Sequence, residues 1–510
     1  MIFKRTIFRD DLFPCALCEN APCTKACGLM DCAALLRSAW FDNEQGAARS
    51  LPGYLPCGKC SAKCEKACVF HGQVQIRKLM QVLAEIREEL DPKERPGQEN
   101  LRTDFAGFSL PNPFILDAPD ASDTLEKSLR AFEAGFGGVI LPAHTEEELE
   151  RKGYISPRFG SMKMGGTIVG MIDIGAEAGS DWDAVEDAEK AGSSQKDGAD
   201  ETDLPGCLAF IPELKHSFPD RMVIATYSKG QGIEPGTFGA LAERSGADAL
   251  LLDFVSGMET AMQQGQHIKD CLKAVRENTG LPMILRFEMM DIAPTELMTI
   301  ADEYGVSALT PEFGNRGILS VNRHLYAPEP SVRGKSAIGR GSGMNMKPTA
   351  LARQAFLAKH NKSKKLQFLS GAGIESWSDA LDFILFGASA VCISDSVMHY
   401  GLRVIDDMKD GLASYLAEKN FEGMGSVIGL ALPNLKRTEE LDKDAVMYPN
   451  ISRTKCISCG RCTLACKECA SGAMNEGFDH APMLIANRCT GCHLCIQVCP
   501  TGAITASKRS

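Results

Sequence analysis

Residues 248–287 contain Asp248-Ala-Leu-Leu-Leu-Asp-Phe254, then Ile268-Lys-Asp-Cys-Leu-Lys-Ala-Val-Arg-Glu-Asn-Thr-Gly280, then Pro282-Met-Ile-Leu-Arg-Phe287. The outer runs are short and apolar, as strands covered on both faces are; the middle run is helical in character. The same alternation extends outward from Pro113 to Asn420. Its strand-like runs are PFILD, FGGVILP, TIVGMID, RMVIATY, DALLLDF, PMILRF, VSALT, LQFLS and SAVCIS, and helical runs such as DTLEKSLRAFEAG, GTFGALAERSG and ESWSDALDFILFG lie between many of them. Strand–helix alternation of this length points to an α/β fold, a (β/α)8 TIM barrel. Nine runs compete for eight barrel places. TIVGMID is the run expected to be peripheral, or misread.

The sequence divides into three expected domains: a helical N-terminal domain over 1–92, the barrel over 93–435 and a C-terminal α+β domain over 436–510. The run GQVQIRKLMQVLAEIREEL (72–90) places Val74, Ile76, Leu79, Val82, Leu83 and Ile86 near a 3.6 period, so a helix closes the first domain. The Pro- and charge-rich DPKERPGQEN after it reads as a linker. The acidic, Gly- and Ser-rich stretch between Glu177 and Asp203 reads as a solvated surface insertion.

With 510 residues, 44% hydrophobic and 24% charged, the chain has an ordinary globular composition. Its net charge of −11, without a basic block, argues against a nucleic-acid partner. The opening MIFKRTIFRDD lacks the apolar centre of a secretion signal, and no run is long and apolar enough for membrane insertion. Of the 21 cysteines only Cys207, Cys271 and Cys392 lie between residues 70 and 455. A secreted disulfide framework would not be so divided, so the expected location is cytoplasmic and the cysteines are available to metal.

The last segment carries Cys456-Ile-Ser-Cys459-Gly-Arg-Cys462-Thr-Leu-Ala-Cys466 and Cys489-Thr-Gly-Cys492-His-Leu-Cys495-Ile-Gln-Val-Cys499-Pro500. This is C-x2-C-x2-C-x3-C written twice, the bacterial ferredoxin spacing. Three thiolates hold one cubane and the fourth reaches across to the other. The expected ligand sets are Cys456, Cys459, Cys462 and Cys499 for one [4Fe–4S] cluster, and Cys489, Cys492, Cys495 and Cys466 for the other. Zinc sites also use C-x2-C pairs but need neither eight interleaved cysteines nor a following proline. Lys467, in place of a proline, follows Cys466, and Cys469 is spare.

The first segment is as dense in sulfur: Cys15-x2-Cys18-x4-Cys23-x3-Cys27, Cys32, then Cys57-x2-Cys60-x3-Cys64-x3-Cys68. These cysteines suffice for two more cubanes, four [4Fe–4S] clusters in all. With Cys15-Ala-Leu-Cys18-Glu-Asn-Ala-Pro-Cys23-Thr-Lys-Ala-Cys27, and with NPFILD, LRAFEAGFGG, ISPR, ELKHSFPDRMVIAT, SGADALLLDF, SGAGIES and FGASAVCISDSV, the chain resembles the dihydropyrimidine dehydrogenase family along nearly its whole length. That family joins an N-terminal Fe–S domain, FAD and NADPH domains, an FMN barrel and a ferredoxin tail. No G-x-G-x-x-G between a strand and a helix replaces the FAD and NADPH domains here. The resemblance therefore implies a flavin- or nicotinamide-binding partner subunit in a hetero-oligomer.

It also implies interleaved N-terminal ligands, with Cys15, Cys18, Cys23 and Cys68 on one cluster and Cys27, Cys60 and Cys64 on the other. The family's glutamine ligand aligns with Met80, a poor iron ligand, which leaves Cys57 as the candidate fourth ligand and Cys32 as its competitor. In the barrel, Gly341, Gly343, Gly371, Gly373 and Ser394 are the candidate cofactor contacts, because glycine lets backbone N–H groups approach an anion. The family's phosphate-binding serine aligns with Asp395, whose simplest reading is a loop facing water. Two active-site lysines align with Pro142 and Arg286, and two asparagines with Asp253 and Glu312. Arg286 would steady a reduced flavin electrostatically. Ser256 aligns with the catalytic cysteine and is the candidate proton donor. For His71, His144 and His399 a structural role is expected.

Two readings follow. One is an electron-transfer subunit that relays electrons between partner cofactors. The other is an FMN-dependent reductase of a C=C bond in a pyrimidine-like substrate.

Overall fold

The structure, a computed structural model, describes residues 12–70, 74–90, 97–143, 156–164, 167–174, 206–228, 233–254, 261–288, 293–312, 316–361, 365–442, 446–478 and 480–507. Ser256, His71, His144, the opening segment and the whole acidic insertion fall outside these residues. The chain forms two compact units, one over Ile7–Leu432 and one that includes Pro433–Ser510. The N-terminal cysteine segment shares the first unit with the barrel.

Eight parallel strands close that barrel: β1 (Phe114–Leu116), β2 (Gly138–Leu141), β3 (Met222–Ser228), β4 (Ala249–Asp253), β5 (Met283–Glu288), β6 (Ala308–Glu312), β7 (Gln367–Ser370) and β8 (Ala390–Ile393). Side chains alternate across each strand. Ile115, Ile224, Leu251, Ile284 and Leu369 fill the barrel interior, whereas Phe114, Leu116, Val223 and Leu250 join the core under the outer helices. A hairpin, Thr103–Phe105 with Phe108–Leu110, adds Phe105 and Leu110 to the interior cluster. It is tied down by Ala106 N–H to Gln367 Oε1 (2.7 Å) and by Thr103 Oγ1 to the Ser389 carbonyl (3.2 Å).

The run TIVGMID is peripheral. It forms strand Thr167–Asp173 of a separate four-stranded antiparallel sheet with Phe159–Met164, Gly339–Ser342 and Arg316–Gly317. The helix expected near residues 72–90 spans Ile76–Glu89 and buries Ile76, Leu79, Met80 and Leu83.

A polar network holds the N-terminal segment against the barrel's outer helices. Asn43 Nδ2 donates to Asp407 and Asp410 (3.0 Å each), both on helix Val404–Glu418, and Arg49 donates to Ser414 on the same helix (2.8 Å). Ser376 and Ser378 donate to Asp42, and Trp377 Nε1 donates to the Asp42 carbonyl (2.9 Å). Phe41 meets Tyr400 edge-on at 5.1 Å. Gly411 is required at this seam, since a Cβ there would fall 2.1 Å from Trp377 Cδ1.

The second unit, taken by itself, pairs strands Pro449–Ile451 with Ile504–Ala506 and Met474–Glu476 with Pro482–Leu484, both antiparallel. Helices Arg461–Cys469 and Leu494–Gln497 complete it, and Cys462, Cys466, Ala473, Met474, Cys495 and Ile504 form its small core.

Candidate electron-transfer centres and the barrel cavity

Each half of the C-terminal unit wraps its three leading cysteines with two left-handed residues. Ser458 (φ 53°) and Gly460 (φ 73°) separate Cys456, Cys459 and Cys462; Gly491 (φ 69°) and His493 (φ 58°) do the same for Cys489, Cys492 and Cys495. A chain that turns this way keeps backbone N–H groups directed at sulfur. Ser458 N–H reaches Cys456 Sγ (3.4 Å), Gly491 N–H reaches Cys489 Sγ (3.4 Å) and Ala503 N–H reaches Cys499 Sγ (3.2 Å). Burial first, and then Cys492, push the Cys495 thiol up to about 11, with Cys462 and Cys466 adding to the repulsion. Both Cys462 and Cys466, from the first run, thus stand near Cys495, and Cys466 lines one small pocket with Cys489, Cys492 and Cys495. Cys469 is exposed.

The N-terminal segment repeats the device with different spacing. Ala21 (φ 39°) precedes helix Pro22–Cys27, and Ala62 (φ 56°) precedes helix Lys63–Ala67, so both helices start from a left-handed residue. Burial, followed by the proximity of Cys23, Cys68 and Cys18, pushes the Cys15 thiol up to about 12. The neighbours are the three cysteines expected to share a cluster with Cys15. Cys57 is likewise raised to about 11 by burial and then by Cys60, Cys64 and Cys27. Cys32 is also raised, by burial first and then by the proximity of Cys27, Cys64 and Cys23, and its Sγ lies 3.9 Å from the Met30 carbonyl oxygen. It lies between the two sulfur groups, whereas Cys57 belongs to one of them. Met80 is wholly buried in the helix core.

The donor set fits iron–sulfur clusters: sulfurs only, in interleaved groups, with amide hydrogen bonds to several.

At the C-terminal ends of the barrel strands lies a cavity of about 230 Å³. It is lined by Asp117 after β1, Arg286 on β5, Gly371–Ile374 after β7, and Cys392, Ser394 and Asp395 at the end of β8, with Arg158, Asp173 and Arg340–Gly343 from the peripheral sheet. This is the face on which barrels of this kind carry their chemistry. Gly341, Gly343, Gly371, Gly373, Ser394 and Arg286 are therefore brought together as expected.

Their contacts are internal, however. Arg286 is nearly buried; its Nη2 donates to Asp117 Oδ2 at 2.5 Å, and its Nη1 lies 3.6 Å from Asp253 Oδ2. Arg158 grips Asp173 with Nε (2.8 Å) and Nη2 (2.6 Å) and Asp120 with Nη1 (2.9 Å). Asp395 does not sit in a loop facing water, as its sequence context suggested; it opens helix Asp395–Tyr400 on the cavity wall. The nearby Ser342 hydroxyl and Gly343 N–H favour its ionised form, but burial is the larger effect and raises its pKa. Beside it, burial lowers His399, whose Nε2 lies 3.3 Å from Met171 Sδ. The cavity glycines answer to backbone crowding: a Cβ on Gly371 would lie 2.3 Å from the Cys392 carbonyl oxygen, and one on Gly373 2.6 Å from that of Gly343.

Sequence reasoning did not single out Asp117, Asp120, Arg158, Asp173 or Arg340. Asp117 ends the first strand-like run and Arg158 lies in ISPR, so position at a strand end and membership of a matched stretch were the available signals.

The geometry defines a class: a closed parallel barrel joined to iron–sulfur centres, an oxidoreductase subunit in electron transfer. Residues 449–506 match the 4Fe-4S dicluster domain family, and residues 255–416 match the dihydroorotate dehydrogenase family. The NAD-dependent dihydropyrimidine dehydrogenase subunit PreA of Escherichia coli (strain K12) is 28% identical over 420 residues, covering 80% of this chain and 95% of that protein. The catalytic subunits of dihydroorotate dehydrogenase B (NAD(+)) from Pyrococcus abyssi and Thermococcus kodakarensis are 27% and 26% identical over 340 residues, covering 65% of this chain and 99% and 98% of theirs. The chain is thus similar over most of its length to the dihydropyrimidine dehydrogenase subunit, with a barrel that matches the dihydroorotate dehydrogenase model in part and a C-terminal match to the dicluster domain.

Proposed function

We propose that this protein is an iron–sulfur electron-transfer subunit holding four [4Fe–4S] clusters and relaying electrons between partner cofactors. The ligand sets in this reading are Cys15, Cys18, Cys23 and Cys68; Cys27, Cys57, Cys60 and Cys64; Cys456, Cys459, Cys462 and Cys499; and Cys489, Cys492, Cys495 and Cys466. The observation that supports it is the approach of a distant cysteine to each sulfur group: Cys68 stands near Cys15 in the first segment, and Cys466 lines one pocket with Cys489, Cys492 and Cys495 in the second. Such interleaving keeps two clusters side by side, and one-electron exchange between them needs only proximity. The Escherichia coli relative is named as a subunit of an NAD-dependent enzyme. By that analogy a nicotinamide- or flavin-binding partner supplies or accepts the electrons in a hetero-oligomer. Among the described residues no helix is long and apolar enough to cross a membrane.

In the same reading the barrel does not hold FMN. The hydroxyl of Ser342 and the amide of Gly343, donors suited to a phosphate, share the cavity lining with the Asp395 carboxyl group. Two like charges about 4 Å apart repel by about 4 kcal/mol per charge pair at the effective dielectric of a protein surface. Arg286, the expected support for a reduced flavin, is neutralised by Asp117 and Asp253.

The second reading, an FMN-dependent reductase with Ser256 as proton donor and Arg286 steadying the flavin, is favoured by the cavity's place at the strand ends and by the names of the dehydrogenase relatives. Cofactor content separates the two. About sixteen irons per chain and no flavin is the result expected of the relay; a flavin near one per chain supports the reductase and contradicts the relay as stated.

A further inference from the structure

Every cysteine of the second N-terminal group has a lysine within two residues of it in the chain. The local sequence is Cys57-Gly-Lys59-Cys60-Ser-Ala-Lys63-Cys64-Glu-Lys66-Ala-Cys68, and Lys25 lies two residues before Cys27. Lys25, Lys59, Lys63, Lys66 and Lys78 are all exposed, and none has an ion-pair partner among the described residues. The nearby acids are already engaged. Glu65 pairs with Arg77 (3.3 Å) and accepts from its backbone N–H (2.9 Å), while Asp31 caps the helix that begins at Cys32. Helices Pro22–Cys27 and Lys63–Ala67 pack on one another, which brings Lys25 to the same neighbourhood as Lys63 and Lys66.

Large apolar side chains stand exposed on the same cysteine-rich segment. Tyr54 is 77% exposed, Leu29 64%, Val69 55%, Leu17 48% and Phe70 36%, and four of the five lie within two residues of a cysteine. A basic patch with apolar side chains, next to redox centres, on a chain of net charge −11, is an orienting device. An anionic protein is repelled by the molecule as a whole and attracted here, within about 10 Å at ordinary salt. The apolar side chains then offer a surface that water leaves on contact.

We propose that this face is the docking site of an acidic electron-carrier protein, one whose own redox centre is rimmed by carboxylates, and that electrons pass between it and the second N-terminal cluster. One electron leaves the carrier and one enters the chain per encounter, with no proton transferred. This rests on the electron-transfer reading above and adds the partner's chemistry and its place.

The test uses the full iron-loaded chain and a reduced, acidic two-cluster ferredoxin as probe, with stopped-flow absorbance following reduction of the chain. The wild-type rate is expected to fall steeply as salt is raised. In Lys59→Glu/Lys63→Glu/Lys66→Glu the rate at low salt is expected to fall 10-fold or more and to lose that salt dependence. The corresponding triple Gln variant is expected to fall between them. Iron content and EPR spectra of each variant, matching wild type, show that the clusters are intact. An unchanged rate in the Glu variant with clusters intact, or a wild-type rate indifferent to salt, overturns the docking face. If sedimentation shows instead that the Glu variant dissociates a wild-type dimer, the occupant is a second copy and the proposal also fails. A wild-type chain without reducible iron would sink the electron-transfer reading itself, which none of the docking outcomes does.

Discussion

Cys57 and Cys32 illustrate how far a single side chain decides a centre. Both are buried thiols near Cys27 and Cys64, but only Cys57 has its other sulfur neighbours confined to one group. Cys57→Ala is expected to lower iron by about four atoms per chain, the content of one cubane. Cys32→Ala should leave iron unchanged. Iron analysis with EPR checks both; loss of a cluster in Cys32→Ala with retention in Cys57→Ala would reverse the assignment. Asp395 is a second case. Its pKa is raised in the folded state, so its ionisation opposes folding: the penalty is absent below the ordinary carboxylate range and grows as pH rises through it. Asp395→Asn is therefore expected to raise the melting temperature at pH 7, with the two proteins converging near pH 3. His399 beside it titrates in both proteins. A wild type that is the more stable at pH 7 would contradict the buried-carboxylate account.

The secondary-structure elements show which parts of the fold were readable. Eight of the nine strand-like runs became barrel strands, because strands covered on both faces are continuous apolar runs and the helices between them carry their own period. TIVGMID has the same local texture, and only its antiparallel pairing with Phe159–Met164 and Gly339–Ser342 sets it apart. The C-terminal cysteines were legible since ligand spacing there is local. The seam between the N-terminal segment and helix Val404–Glu418 was not, because Asn43 and Asp407 are 364 residues apart and no local pattern links them. Nor was the inward turn of Asp395, whose neighbours Ser342 and Gly343 come from a distant strand and its flank. Two substitutions test the seam. Gly411→Ala forces a methyl group into Trp377 and should cost about 1–3 kcal/mol, as overpacking does. Asn43→Ala leaves the Asp407 and Asp410 carboxylates without their shared donor and should cost about 1–3 kcal/mol. Urea denaturation of the loaded protein measures both, and a loss below about 0.5 kcal/mol in each would show that the seam contributes little.

At the scale of the whole chain, a barrel of enzyme type is joined to cysteine-rich segments at both ends of the sequence, and its cavity is lined by charges that pair with one another. Arg286 with Asp117 and Asp253, and Arg158 with Asp120 and Asp173, satisfy groups that would otherwise await a ligand. Arg340 is the cavity arginine left without an ion pair among the described residues. The central claim is that electrons, not a bound flavin's substrate, are what this molecule handles. Iron and flavin counted on one anaerobically purified sample test it most directly. About sixteen irons per chain with flavin below a tenth per chain is the expected result; a flavin approaching one per chain, released on denaturation and identified as FMN, would contradict it.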